Sequence, residues 1–180
     1  MGIIETIKAR VRGVKTVEDL EKLGFTHGKN LHVQEGVIID WGHSGLITVG
    51  DDVTLAPRVH ILAHDASTKI PMGCTKIAEV KIGNRVFIGA GTIVLPGVTI
   101  GDDVIVGAGS IVTKSLPGAA VYVGSPAKRL MSIEEYIDKE KKRKAQLPYF
   151  GPEYTVVNAT PDRLTELKER VSEAGGGFII

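Results

Sequence analysis

The chain has 180 residues, 43% of them apolar, enough for one packed domain with a small appendage. Its 22 basic and 21 acidic side chains leave a formal charge of +1, so no bulk charge directs it to nucleic acid or an anionic membrane. A single cysteine, Cys74, excludes an intrachain disulfide and a cysteine-based zinc site, and no apolar run approaches the ~20 residues of a membrane span.

Met1 to Arg12 has neither the n-region nor the h-region of a signal peptide, so a cytoplasmic location is expected. The first 30 residues read as a helical cap. Thr16 can start a helix with Asp19 three positions on, and Gly24 suits its stop. Such a segment would cover the open edges at one end of a β-structure.

A six-residue period then takes over. IGNRVF, IGAGTI, VLPGVT, IGDDVI, VGAGSI and VTKSLP run from residue 82, each opening on an aliphatic residue: Ile82, Ile88, Val94, Ile100, Val106 and Val112. VGDDVT, LAPRVH and ILAHDA repeat the rule upstream at Val49, Leu55 and Ile61. Period six fits neither a helix nor an open alternating strand; it predicts short strands joined by tight corners, with one side chain per hexad on a common axis. Three hexads make one triangular turn of about 18 residues, so Ile82 should align with Ile100, Ile88 with Val106 and Val94 with Val112 in parallel strands about 4.8 Å apart. Spacing leaves the hand of the coil open.

The period breaks twice. Ten residues separate Ile39 from Val49 across DWGHSGL. Ile61 and Ile82 are 21 residues apart, against about 18 for one turn, and the intervening segment 64–79 reads as a loop thrown out of the coil. The two breaks lie about one turn apart, so they are expected to line one pocket. His64 sits at the second break, and an imidazole, with an ordinary pKa of about 6.5, is suited to act as a base. Asp65 is its neighbour in sequence, but adjacent side chains diverge, so a backbone carbonyl is the expected partner of His64.

Beyond residue 130 a helical extension is expected, 131–180. Ser132 and Glu135 form a capping box before a charged helix of about a dozen residues. EKKRK, 140–144, reads as its solvated face. Thr160 and Pro161 open a second helix with Leu164, Leu167 and Val171 on one side and Gly175 to Gly177 as its stop.

The hexads, with the closing GSPAKRL at 124–130, resemble the hexapeptide-repeat acyltransferases, and DWGHSGLITVGDDVTLAPRVHILAHD, 40–65, is similar to the maltose, galactoside and capsular-polysaccharide O-acetyltransferase branch. The resemblance implies a mostly β fold: a left-handed parallel β-helix over 31–130, between the N-terminal helical cap 1–30 and the C-terminal helices. It implies an acetyltransferase that moves an acetyl group from acetyl-CoA to a hydroxyl of a sugar or glycan precursor, with His64 as the general base and no metal.

Asp40, Trp41 and His43 are then the acceptor-side candidates. Asp40 stands near a polar substrate-binding position of relatives, and Trp41 could stack on a sugar ring. The resemblance further places coenzyme A along Ala90, Ala108, Thr113, Lys114, Lys128 and Arg129, where small side chains admit a pantetheine arm and the basic groups meet phosphate. It implies a homotrimer with active sites between subunits, and Ile93, Leu95, Ile105 and Ile111 are candidates for burial there. N-acetylation of an amino sugar and O-acetylation of a xenobiotic remain alternatives. So do two other classes: a non-catalytic scaffold, and a γ-type carbonic anhydrase using His43, His60 and His64, although the four-residue spacing of His60 and His64 does not match that family.

Overall fold

The computed structural model describes residues 15–180. They divide into two compact units, the first ending at Ile133 and the second running from Glu134 to Ile180.

The first unit opens with α1 (Val17–Glu21), held by the reciprocal cap expected from the sequence: Thr16 Oγ1 accepts from the Asp19 N–H, and the Asp19 carboxylate accepts from the Thr16 N–H. The expected helical reading of residues 1–30 is too long. Residues 1–14 lie outside the described residues, and strand begins at Thr26, because Thr26 and His27 find ladder partners in Thr48 and Val49.

From there the chain winds through three parallel sheets in rotation. The first turn is β1 (Thr26–His27), β2 (His32–Val33) and β3 (Ile38–Ile39); the second is β4 (Ile47–Val49), β5 (Thr54–Leu55) and β6 (His60–Ile61). A hairpin, β7 (His64–Asp65) and β8 (Lys76–Ile77), interrupts the winding, with a single helical turn α2 (Lys69–Met72) between its strands. The third turn is β9 (Val80–Ile82), β10 (Phe87–Ile88) and β11 (Ile93–Val94); the fourth is β12 (Thr99–Ile100), β13 (Val104–Val106) and β14 (Ile111–Val112). β15 (Ala120–Val123) adds a last parallel strand, and the chain turns back as antiparallel β16 (Lys128–Ser132). The resulting faces are β1-β4-β9-β12, β2-β5-β10-β13-β15-β16 and β3-β6-β11-β14.

The register is the one the period predicts: Ile82 aligns with Ile100, Ile88 with Val106 and Val94 with Val112. The nine aliphatic residues that open the hexads are all buried, none more than 3% exposed. Burying each such side chain is worth about 1.5–3 kcal/mol, so stacked aliphatics on three faces supply the core in place of inter-layer packing. Asn and Asp side chains run up one corner as a second ladder, Asn84 Oδ1 accepting from the Asp51 N–H at 2.9 Å and Asp102 Oδ1 from the Asn84 N–H at 2.8 Å.

Corners are close enough that side-chain size matters. A β-carbon on Gly89 would lie 2.5 Å from the backbone nitrogen of Ala108 in the turn above, an overlap relieved only by moving backbone. Gly89→Ala is therefore expected to destabilise the protein by about 1–3 kcal/mol, read as a fall in thermal midpoint.

The loop is longer than the sequence count suggested. Ile61 lies on the third face and Ile82 on the first, so they are one hexad apart in the winding, not one turn. Ile61 aligns with Val94, 33 residues on, where an uninterrupted turn such as Ile82 to Ile100 returns after 18. The hairpin thus adds fifteen residues, not three. The earlier break adds four, since Ile39 aligns with Ile61 across 22 residues.

The second unit holds most of α3 (Ile133–Gln146) and then β17 (Tyr149–Phe150), a 3-10 turn at Pro152–Tyr154, α4 (Pro161–Ala174) and β18 (Phe178–Ile179). α3 has no buried residue, in line with a solvated charged face. Thr160 caps α4, which ends on Gly175 in the left-handed conformation. The parallel pair β17 and β18 has no sequence signature; Phe150 is its one fully buried side chain, edge-on to Tyr154 and beneath the Arg170 guanidinium.

Candidate active site

Both breaks in the winding fall at the same corner, where the third face hands over to the first. The earlier one is filled by a 3-10 segment, Trp41–Leu46, with Asp40 at its start. The Asp40 N–H donates to the Ile61 carbonyl at 2.9 Å, tying the first break to the strand that ends at the second.

The Asp40 side chain turns inward and is 5% exposed. Oδ2 accepts from the Ala63 N–H at 3.1 Å and from Nδ1 of His64. Oδ1 lies 3.6 Å from Nδ1 of His43, whose ring packs on that of His64 with centroids 4.9 Å apart. The structure therefore brings together His64, Asp40 and His43 from positions up to 24 residues apart.

Burial raises the pKa of the Asp40 carboxyl. The hydrogen bonds from His64 and the Ala63 N–H, with the adjacent imidazoles, outweigh it and leave the net value below the ordinary 3.8. An ionised carboxylate has no proton to give, so the hydrogen between Asp40 and His64 belongs to Nδ1. Neutral His64 then carries its lone pair on Nε2. The His64 side chain is 39% exposed, so that lone pair belongs to an accessible group.

One expectation changes. The partner of His64 is the carboxylate of Asp40, not a backbone carbonyl, and Asp40, expected on the acceptor side, meets His64 and Ala63 through Oδ2. Asp65 does diverge: its carboxylate accepts from the Ser67 N–H at 2.9 Å and meets Lys76 Nζ at 2.5 Å. The Lys76 contact, with the Ser67 bonds, holds its pKa well below the usual carboxylate range. That pair ties the two strands of the hairpin together next to His64.

Trp41 is 63% exposed, with Lys15 Nζ 6.0 Å from its ring centroid, and so offers an open aromatic face beside Asp40. His60 does not join the cluster; it stands in the outward column of the third face between Ile38 and Ile93. Three histidines are thus not gathered here, which removes the geometric basis for the carbonic anhydrase alternative within one chain.

The coenzyme A candidates lie elsewhere. Ala90 and Ala108 occupy successive turns of the corner between the second and third faces, linked by the Gly109 N–H donating to the Ala90 carbonyl at 2.8 Å. Thr113 and Lys114 follow β14, exposed, at the far side of the third face. Lys128 and Arg129 are exposed on β16, opposite Val123 and Tyr122. Within one chain the third face separates the alanine corner from the His64 corner.

Residues 79–114 match the family model described as bacterial transferase hexapeptide (six repeats). The chain is 48% identical over 99 residues to CapG of Staphylococcus aureus, a match covering 52% of this chain and 57% of that protein. Among solved structures, a maltose O-acetyltransferase from Clostridium difficile 630 is 34% identical with a TM-score of 0.52, covering 64% of this chain and 73% of that one. A galactoside acetyltransferase in complex with coenzyme A is 29% identical with a TM-score of 0.54, covering 66% and 70%. This chain belongs to the hexapeptide-repeat transferase family. It spans less than two thirds of the length of the curated relatives it matches, 57% in the case of CapG. No helix among the described residues is long and apolar enough to cross a membrane.

Proposed function

We propose that the protein transfers an acetyl group from acetyl-CoA to a hydroxyl of a sugar or glycan precursor, with His64 as general base. The observation that carries this reading is the Asp40–His64 pair at the break in the coil, which fixes the tautomer a base needs. Nε2 takes the proton of the acceptor hydroxyl as its oxygen attacks the thioester carbonyl. The tetrahedral adduct then collapses, the carbon–sulfur bond breaks, and the imidazolium returns the proton to the coenzyme A thiolate. Asp40 stabilises that imidazolium without taking its proton. The likeness to sugar O-acetyltransferases supports a sugar acceptor, with Trp41 and His43 on its side of the site. The likeness to a coenzyme A complex supports acetyl-CoA as donor.

The reading includes a left-handed coil and a homotrimer, with Ala90, Ala108, Thr113, Lys114, Lys128 and Arg129 lining the coenzyme A groove. The separation of the alanine corner from His64 within one chain supports a site shared between subunits. So does the outward column of the face between them, Ile38, His60, Ile93 and Ile111, which is apolar at all but His60.

The test is a panel of sugar, amino-sugar and xenobiotic acceptors with acetyl-CoA, scored by free thiol release. A sugar hydroxyl acceptor should raise the rate well above acetyl-CoA hydrolysis. Release with an amino sugar or a xenobiotic alone would overturn the assigned acceptor, and silence across the panel would overturn the transferase.

A further inference from the structure

We propose that Asp40, His43 and His64 also form a reversible site for a divalent transition-metal ion of the zinc type, and that its occupancy switches His64 off as a base. One ligand atom from each residue lies within 4.8 Å of the other two. Nδ1 of His64 and Nδ1 of His43 face the two oxygens of one carboxylate. Around zinc, at about 2.0–2.1 Å per ligand, tetrahedral donors stand about 3.4 Å apart, so closure asks for shifts of about an ångström. Such shifts are open to imidazoles 35% and 39% exposed.

His43 offers the third ligand atom. Its Nδ1 is buried and has no hydrogen-bond partner among the described residues, yet lies 3.6 Å from Asp40 Oδ1. With its proton on Nε2, the neutral ring sets a lone pair toward a carboxylate oxygen, two electron-rich atoms face to face in a desolvated spot. Either a proton or a metal ion between them relieves the repulsion. Two imidazoles and one carboxylate are the donor set of zinc, cobalt, nickel and copper, not of magnesium or calcium, which take oxygen. Three protein ligands leave a fourth position for water.

Binding would act on the base through its tautomer. A metal on Nδ1 takes the lone pair that becomes available only when the ring's single proton moves, by exchange with water, to Nε2. The ring stays neutral and keeps one proton, but Nε2 no longer has a lone pair for an acceptor hydroxyl. This inhibitory half rests on the reading of His64 given above; the binding half does not.

Cobalt chloride titrated into untagged full-length protein, freed of metal with EDTA and dialysed, separates the outcomes. The inference expects visible ligand-field bands of four-coordinate cobalt, saturating at one ion per chain, displaced by zinc, lost in His43→Ala and kept in His60→Ala. The variants are read alongside circular-dichroism melts, with His43→Gln as a second substitution if His43→Ala melts early. Absence of bands, as a site holding a proton only would give, overturns the proposal. Bands unchanged in both His43 variants do so too, since they place cobalt elsewhere. Where acetyl transfer is measurable, product chromatography should show at least a tenfold lower rate at saturating zinc, restored by EDTA. An unslowed zinc-loaded enzyme overturns the inhibitory half, whereas cobalt bands in a protein with no transferase activity count against the proposed function alone.

Discussion

His64→Ala should lower kcat for acetyl transfer by about 10²–10⁴ while leaving the fold and the KM for acetyl-CoA near wild type. The side chain stands at the hand-over from the third face to the first, 39% exposed, and its packing partner is another half-exposed imidazole. Truncation opens no cavity in the aliphatic stacks, because those are filled by Ile61 below and by Val80 and Ile82 beyond the loop. What it removes is the Nε2 lone pair. The cost should therefore fall on the chemical step, not on donor binding. Steady-state kinetics with a circular-dichroism melt of the same sample decide it. Full activity in a folded variant would remove His64 as the base, and a matching loss of thermal midpoint would make it a structural residue.

The fold was readable because a coil of this kind writes its register into the chain. One inward residue per hexad is a constraint repeated on every face, and Ile82, Ile88 and Val94 find the partners that counting assigns them. Where the period stopped, counting stopped working. The excess in the loop was mistaken because the spacing between Ile61 and Ile82 does not say which face each occupies. His64 was legible as the polar residue that leaves an aliphatic beat. Its tie to Asp40 was not, since the four-residue insertion after Asp40 takes the two out of the regular register and only the folded corner brings them together. The proximity of the two breaks was the available signal, and it led to Asp40 as an acceptor-side residue without its hydrogen bond to His64. The β17–β18 pair was missed for another reason: two-residue strands flanked by proline and glycine carry no periodicity.

Asp40→Asn separates the positioning task of Asp40 from acceptor binding. Both bonds of Asp40 land on Oδ2, so an amide oxygen in that place can still accept from the Ala63 N–H and from Nδ1 of His64, and the corner should still fold, at a cost of about 1–3 kcal/mol. Its nitrogen then takes the place of Oδ1 and faces Nδ1 of His43, so the substitution removes the charge and leaves the hydrogen-bond pattern at His64 in place. What His64 loses is the negative charge that stabilises its imidazolium once Nε2 has taken the acceptor's proton. We expect kcat to fall by about 10²–10³ with little change in KM for either substrate, whereas loss of an acceptor contact would raise the acceptor KM. Stability against pH gives an independent readout. The folded carboxyl titrates below its ordinary 3.8, so ionisation of Asp40 contributes stability in full above that value, and the contribution is lost as pH falls through the lowered folded value. The midpoint advantage of wild type over Asp40→Asn should accordingly stand at its full size above pH 3.8 and close below it. An advantage that persists unchanged into strong acid would mean that the hydrogen-bond geometry of the carboxyl group, not its charge, holds His64 in place.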